Sequence, residues 1–493
     1  MPALPGPGAL SVGGESVRLP RLRHGARAKG WIVAAGAAAL ALAAVSLLAF
    51  PALPRQGDSI TYWRMMRWML GEAPGPGLVL APGYPAFLAL VVRMVPFGPG
   101  PALLLAQHLL RLVPVAAMVA LAWRLRSRTL AVAAALFAVA PESWVFAHFV
   151  MTETLALALC AVAAVALWRL WERPGPGRAA ISGLAIGFLA AVRPVGALWL
   201  VPGFWWGGRA TREGGWGRAA ALIAGFAAAL LPWLAFNRAR TGEFALVNSV
   251  GRHLFSRIVA EDGALPAGDS GLAALNRDAG FPAGAPATYL WNYTEALRRR
   301  GLTETEADAR LGWVALRGLA CSPFRYAAGT VSGMAAIAVW APEPSAGSYR
   351  AIEHALSVPG SLAEAVRDLR PFVTDPEAVE WILAELAPAF DDGWPRRVLG
   401  SWLGGWRESI GWLQWPLVLL MIAGAVRLWR GGETGGPPGW GRGFVLLAAL
   451  GLLGHAAAEM PVPRYGLPYQ PLTILLACEG AAWAVTGLRR GRR

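Results

Sequence analysis

A run of twenty residues without a charge, Trp31 to Phe50 (WIVAAGAAALALAAVSLLAF), constrains this chain more than any other feature. A helix of that length crosses about 30 Å of hydrocarbon at about 1.5 Å per residue. The run exceeds the apolar core of a typical signal peptide, and many apolar segments follow it. Only 15% of the residues are charged, against about a quarter in soluble domains. The sequence therefore predicts an all-α polytopic membrane protein.

Further apolar segments predict a bundle of about ten transmembrane helices, with eleven to thirteen allowed where hydropathy is ambiguous. Extracytoplasmic loops with interfacial helices are expected between them. The predicted spans lie near 31–50, 101–123, 129–147, 152–171, 179–192, 195–206, 219–236, 409–428, 443–458 and 468–488.

Basic residues predict the orientation of these spans. Several precede the first span, ending at Lys29, so the positive-inside rule places the N-terminus in the cytoplasm. Ten spans also place the C-terminal arginines inside. The count depends on 179–206, where Arg193-Pro194 divides the apolar stretch; because proline disfavours a continuous helix, two short helices meeting near the outer face are predicted. Arginine-rich, lysine-poor usage indicates a bacterial source, hence the inner membrane.

The net charge of +15 lies in clusters beside apolar runs, which argues against nucleic acid as a partner. Four regions are predicted. They are a disordered basic cytoplasmic tail (1–30), an N-terminal transmembrane catalytic module (31–236) with a first outer loop (51–100), an extracytoplasmic segment (237–408) and C-terminal transmembrane helices (409–493). The apolar piece from Phe324 to Trp340 could be a span, a re-entrant segment or a surface helix. The surface helix is favoured because it keeps the C-terminus inside.

Asp58 is the leading candidate for a catalytic residue. It lies in G-D-S-I-T-Y-W-R, seven residues after the first span, and is therefore expected at the outer interface. The alternative is a solvated charge or a helix cap.

Other polar residues fall at predicted outer ends of spans or in outer turns. Ionisable groups at membrane depth usually face a cavity or a partner, so these residues should converge on one outward-facing cavity. As alternatives, Glu153 and Arg193 could form a structural ion pair, and His148 could be a hydrogen-bonded interfacial side chain. His108 and His455 are interpreted as packing residues. The converging set is His148, Thr152, Glu153, Arg193, Glu459, Arg464 and Tyr465.

The sequence lacks the motifs of metalloproteases, serine hydrolases and nucleotide triphosphatases. No HExxH, GxSxG or P-loop pattern is present. No cofactor is required by any motif. A divalent metal on Asp58, Glu153 and Glu459 is possible through oxygen ligands, although no spacing demands it.

The order of short motifs resembles the GT-C membrane glycosyltransferases. These motifs are G-D-x-x-x-Y-W after the first span, P-x-Y-P, M-T-E opening the fourth span, A-V-R-P, and a late P-R-Y-x-L-P. They are most similar to bacterial relatives of protein O-mannosyltransferases and of the lipid A aminoarabinose transferase. The resemblance implies transfer of a sugar from a polyprenyl-phosphate carrier, with inversion, to a glycan, lipid or protein acceptor. Ser59 stands where protein mannosyltransferases have a second acid, and no lectin-like insert is recognisable, which disfavours a protein acceptor.

The resemblance also implies roles for individual residues. Asp58 corresponds to the catalytic base or acceptor-orienting acid, and Glu153 to a second acidic position contacting acceptor or sugar. Arg193 and Arg464 correspond to cations near the carrier phosphate. A base for the acceptor hydroxyl and cations for the departing phosphate are what this reaction needs. The further expected substrate contacts are Tyr62, Tyr84, His148 and Tyr465.

Two other functions remain open at this level. One is a transporter or flippase for lipid-linked sugars, although such proteins usually carry repeated halves and charges near the midplane. The other is an oligosaccharide polymerase or ligase that uses diphosphate-linked donors.

Overall fold

The computed structural model describes residues 24–49, 56–73, 80–94, 99–208, 215–287, 290–338, 394–430, 440–458 and 463–490. Within these ranges the regular elements are helices, which confirms the predicted all-α class. In the first half they are α1 (His24–Ala49), α2 (Gln56–Met69), α3 (Gly83–Met94), α4 (Pro99–Leu125), α5 (Arg128–Val139), α6 (Pro141–Phe146), α7 (Glu153–Glu172), α8 (Pro176–Val192), a 3-10 helix (Pro194–Trp199), α9 (Leu200–Gly208) and α10 (Gly215–Thr241). In the second half they are α11 (Val250–Phe255), a π-helix (Ser256–Glu261), α12 (Ser270–Ala279), α13 (Leu290–Arg299), α14 (Glu304–Cys321), α15 (Pro323–Ala338), α16 (Trp394–Trp429), α17 (Trp440–Ala458), a 3-10 helix (Pro463–Tyr469) and α18 (Gln470–Arg490).

Five of the described helices, α1, α4, α7, α10 and α17, contain segments long and apolar enough to cross a membrane. In α1 only 22% of the apolar membrane-length segment is buried inside the protein, and in α10 only 11%. Large apolar side chains such as Leu40 and Leu231 point outward instead. Such a surface requires a non-aqueous solvent, and a helix satisfies its own backbone groups there. The chain is a multi-pass membrane protein.

Every predicted span coincides with a helix or a pair of helices. The span near 129–147 is formed by α5 and α6, and the one near 195–206 by a 3-10 helix and α9. The predicted break at Arg193 is confirmed, because α8 ends at Val192 and the 3-10 helix begins at Pro194. Arg193 has an extended backbone (φ −138°, ψ 107°). The proline ring excludes the helical conformation at the residue before it.

Glycines allow two pairs of helices in the bundle to pack at very short distances. A Cβ atom added to Gly183 on α8 would lie 1.9 Å from the carbonyl oxygen of Leu222 on α10. Likewise, a Cβ on Gly424 of α16 would lie 1.9 Å from the carbonyl oxygen of Leu476 on α18. Small residues at such contacts let helix backbones approach closely, which compensates for the weak hydrophobic drive between helices in lipid. The backbones of α8 and α10, and of α16 and α18, are therefore in direct contact.

Helices α11 to α14 form a second cluster with its own apolar core, which includes Phe255, Tyr293 and Leu311. Hydrogen bonds connect this cluster to the end of α17. Arg257 Nε donates to the carbonyl oxygen of Ala456 at 2.8 Å, and another bond reaches Ala457. The cluster lies within residues 237–408, the segment for which an extracytoplasmic position stays a prediction.

Some predicted boundaries differ from the helix ends. Helix α1 begins at His24, inside the predicted tail, whose earlier residues lie outside the described ranges. The piece predicted as a surface helix forms α15, which packs against α17 and the 3-10 helix before α18. Residues 339–393 of the outer segment, and Glu459, lie outside the described residues.

Candidate active site

The turn that joins α6 to α7 is held from two sides by buried polar side chains. From α4, Gln107 Nε2 donates to the carbonyl oxygens of Ala147 at 3.1 Å and Phe149 at 2.9 Å. From α2, the Ser59 hydroxyl donates to the carbonyl oxygen of Val150 at 2.9 Å. Buried backbone carbonyls need such partners, since an unpaired one costs free energy. This turn therefore attaches the first outer loop to the bundle.

Asp58 is in the first turn of α2 and is partly exposed. An acidic side chain at this position also interacts favourably with the helix dipole. Its neighbour Ser59 is buried and hydrogen-bonded to the turn, so the start of α2 lies beside that turn. One helical turn later, Tyr62 is buried and contacts Tyr84 edge to face, with ring centroids 5.1 Å apart.

Tyr84 connects the outer loop to the polar groups at the start of α7. Its hydroxyl donates to Gln107 Oε1 at 3.2 Å. Burial raises the pKa of the Tyr84 phenol well above its usual range, and Tyr62 and the charge of Glu153 raise it further. The phenol is therefore a neutral hydrogen-bond donor at physiological pH.

Arg193 and Glu153 form a buried ion pair at the break after α8. Arg193 Nη2 lies 3.0 Å from Glu153 Oε1 and donates to the Thr152 hydroxyl at 3.1 Å. The side chains are 8% and 1% exposed. The guanidinium carbon also lies 5.1 Å from the centre of the Tyr465 ring. The geometry is that of the structural ion pair considered as an alternative from the sequence, and it joins α7, α8 and the 3-10 helix before α18.

A close backbone contact brings α3 to the same place. A Cβ atom on Gly83 would lie 2.6 Å from Val192 Cγ2 and 2.9 Å from the carbonyl oxygen of Ala191. Only glycine leaves room for this approach. Tyr84 therefore begins α3 directly beside the residues that precede Arg193.

His148, which was predicted near a helix end, and the two histidines interpreted as packing residues are all buried inside the bundle. His148 is fully buried, with its Nε2 atom 3.2 Å from Nε2 of His108. His108 in turn stacks on Trp144 at 5.8 Å. His455 stacks on Tyr465 at 5.1 Å. Two of the residues interpreted as packing groups thus contact members of the predicted site.

Sequence reasoning missed the hydrogen bonds of Ser59 and Gln107 to this turn, and the buried Arg111 one helical turn further along α4. Arg111 is fully buried in α4, where it donates to the carbonyl oxygen of Phe137 at 2.7 Å and to the Ser143 hydroxyl. Polar residues at positions 107, 108 and 111 of an otherwise apolar span were the available signal, because they recur at helical spacing on one face.

Arg464 belongs to the 3-10 helix Pro463–Tyr469, next to Tyr465, and its side chain lies outside the described part. Among the described residues there is no group of three or more His, Cys, Asp or Glu side chains that could hold a metal ion. Of the three oxygen ligands considered from the sequence, Glu153 already contacts Arg193.

The fold and the site define an all-helical, multi-pass membrane protein with buried polar groups gathered at one end of its bundle. Among solved structures the chain is similar to ArnT from Cupriavidus metallidurans in the apo state, with 17% identity over 88% of this chain and 78% of that chain, at a TM-score of 0.36. It is also similar to ArnT bound to undecaprenyl phosphate, with 16% identity over 93% and 79% of the two chains, at a TM-score of 0.33. No protein-family model and no curated protein matches the chain. Because the identities and TM-scores are low, the likeness assigns no residue and no ligand.

Proposed function

We propose that this chain is a GT-C membrane glycosyltransferase that moves a sugar from a polyprenyl-phosphate carrier to an envelope acceptor on the extracytoplasmic face of the bacterial inner membrane. The observation that carries the proposal is the meeting of the first outer loop with the Arg193–Glu153 pair at the turn before α7. It supports the proposal because the motif resemblance implies a base in that loop and a cation at Arg193.

In the proposed reaction, Asp58 accepts the proton of the acceptor hydroxyl as its oxygen attacks the anomeric carbon. The bond from that carbon to the phosphate oxygen breaks, and the carrier leaves as an anionic lipid phosphate. A positioned base contributes about 10²- to 10⁴-fold to such a step. The phosphate departs without an acid partner, so one carboxylate suffices. Attack opposite the leaving group inverts the anomeric carbon.

The remaining polar groups bind and orient the substrate. In this proposal Arg193, which contacts Glu153 and Thr152, supplies the preorganised cation for the phosphate charge. Arg464 is a second cation in this proposal, as the motif resemblance implies. Tyr84, in the outer loop, supplies a hydrogen-bond donor, because burial raises the pKa of its phenol and keeps the hydroxyl protonated. Glu153 acts through Arg193 and is therefore a positioning residue.

The proposal is tested by Asp58→Asn in the full chain reconstituted in liposomes. The variant should insert and express like the wild type, yet transfer from a polyprenyl-phosphate sugar should fall by at least about 100-fold. Glu72→Gln is the matched control, because Glu72 is a carboxylate of the same loop whose side chain is 52% exposed. It should transfer at the wild-type rate. Wild-type activity of Asp58→Asn would remove Asp58 from the mechanism.

The same liposomes separate the other functions. Movement of the lipid-linked sugar across the bilayer without a new glycosidic bond would identify a transporter. Transfer from a diphosphate-linked chain but not from a monophosphate carrier would identify a polymerase or ligase. Either result would replace the proposed reaction.

A further inference from the structure

A groove of about 570 Å³ lies between α4 and α7, at the end of the bundle opposite the candidate active site. Helix α7 connects the two places, since it begins at Glu153 in the site and ends at Glu172 in the groove. The volume falls in the range of about 300 to 1,000 Å³ that is typical of ligand pockets. Small apolar side chains form its walls along the helices, among them Ala117, Ala120 and Val165.

Four arginines line one end of the groove together with a single carboxylate, that of Glu172. Arg124 Nε donates to Glu172 Oε1 at 3.1 Å, and its guanidinium lies 5.1 Å from the ring centre of Trp168. Arg178 Nη1 donates to the carbonyl oxygen of Arg173 at 2.6 Å, which fixes the turn between α7 and α8. The four arginines are Arg124, Arg169, Arg173 and Arg178.

We propose that this groove is a binding site for one anionic phospholipid, which nothing in the glycosyltransferase reaction requires. An acyl chain lies along the apolar walls, and the phosphate lies among the arginines. The planar guanidinium binds two phosphate oxygens at once. Basic pockets between membrane helices on the cytoplasmic side bind anionic headgroups in this way.

Charge selects the occupant. The rim carries more guanidinium than carboxylate groups, so it attracts a headgroup with net negative charge over a zwitterionic one. The rim also lies at the end of the bundle that the positive-inside rule assigns to the cytoplasm. No residue lining the groove belongs to the candidate active site, so the inference is independent of the proposed function.

The test uses the purified, delipidated full chain in a nonionic detergent. Native mass spectrometry and thermal shift measure its binding of phosphatidylglycerol, phosphatidylcholine and glycerol 3-phosphate. Phosphatidylglycerol should bind at least about tenfold more tightly than phosphatidylcholine, less so as salt is raised. Glycerol 3-phosphate alone should not bind. The double variant Arg173→Gln/Arg178→Gln should lose at least about tenfold in affinity for phosphatidylglycerol.

Two further variants complete the design. Arg128→Gln is the matched control, because Arg128 is an exposed arginine at the same end of the bundle that does not line the groove, and it should bind phosphatidylglycerol normally. Ala120→Trp fills the apolar wall without changing charge and should also weaken binding. If the double arginine variant fails to fold, Ala120→Trp still tests whether the groove binds the lipid. Equal affinity for the two lipids, binding of glycerol 3-phosphate alone, or normal binding by Ala120→Trp would overturn the proposal.

Discussion

Glu153→Gln tests whether the carboxylate balances the buried charge of Arg193. The substitution keeps the size of the side chain and an oxygen acceptor, but it removes the negative charge beside a side chain that is 8% exposed. Removing one member of a buried ion pair costs about 3–5 kcal/mol. The Thr152 hydroxyl and the Tyr465 ring remain in contact with the guanidinium. The free energy of unfolding should therefore fall by about 3 kcal/mol, the lower end of that range.

A double-mutant cycle makes the reasoning refutable. Arg193→Gln alone leaves a buried carboxylate, whereas the variant with both substitutions leaves no charge. The double variant should therefore lose about 2 kcal/mol less free energy of unfolding than the sum of the losses of the two single variants. Unfolding is followed by tryptophan fluorescence in mixed micelles with increasing dodecyl sulfate. The exposed pair Arg67–Glu72, at 3.5 Å, is the control and should couple by less than about 1 kcal/mol. Additive losses at Glu153 and Arg193 would refute the ion pair.

The remaining predictions concern helix packing and pH. Gly183→Ala should cost about 1–3 kcal/mol of stability, because its Cβ would lie 1.9 Å from the Leu222 carbonyl oxygen. Gly177→Ala, with nothing within 4 Å, should not lower the melting temperature, and equal effects would contradict the α8–α10 contact. Although burial alone would raise the pKa of Asp269, hydrogen bonds from Arg317 and two backbone amides hold it below its usual value. This contribution to stability is present above about pH 4 and lost as pH falls through the folded-state pKa. The hydrogen-exchange protection factors of the α12 amides should fall on acidification, a pH response that Asp269→Asn should lack; wild-type protection factors free of it would contradict the assignment.

The helices could be predicted because their causes are local. An uncharged run of membrane length sets α1, and a proline sets the end of α8 at Val192. Which helices pack together is not a local property. The contact of α8 with α10 depends on Gly183 meeting Leu222. Two glycines four residues apart in α8, Gly183 and Gly187, are a sequence signal typical of such close packing.

Part of the site could be predicted for the same reason, since charge at membrane depth is visible in a sequence. Glu153 and Arg193 were identified this way, but they are forty residues apart in sequence, and this separation does not tell how far apart they lie in space. Whether they pair or act separately depends on how α7 and α8 pack. The contact of His148 with His108 was not predictable either. A histidine in an apolar span indicates a partner without indicating which one.

The position of Asp58 makes its substitution an informative test of mechanism. Three contacts that attach its loop to the bundle are made by neighbouring residues: the Ser59 hydroxyl on the turn, the Tyr84 hydroxyl on Gln107, and the backbone of Gly83 against α8. Asparagine keeps the size of the side chain, remains a favourable residue near a helix N-terminus, and leaves all three contacts in place. A large loss of transfer by Asp58→Asn would therefore report the loss of a proton acceptor, because the loop that carries it remains attached to the bundle.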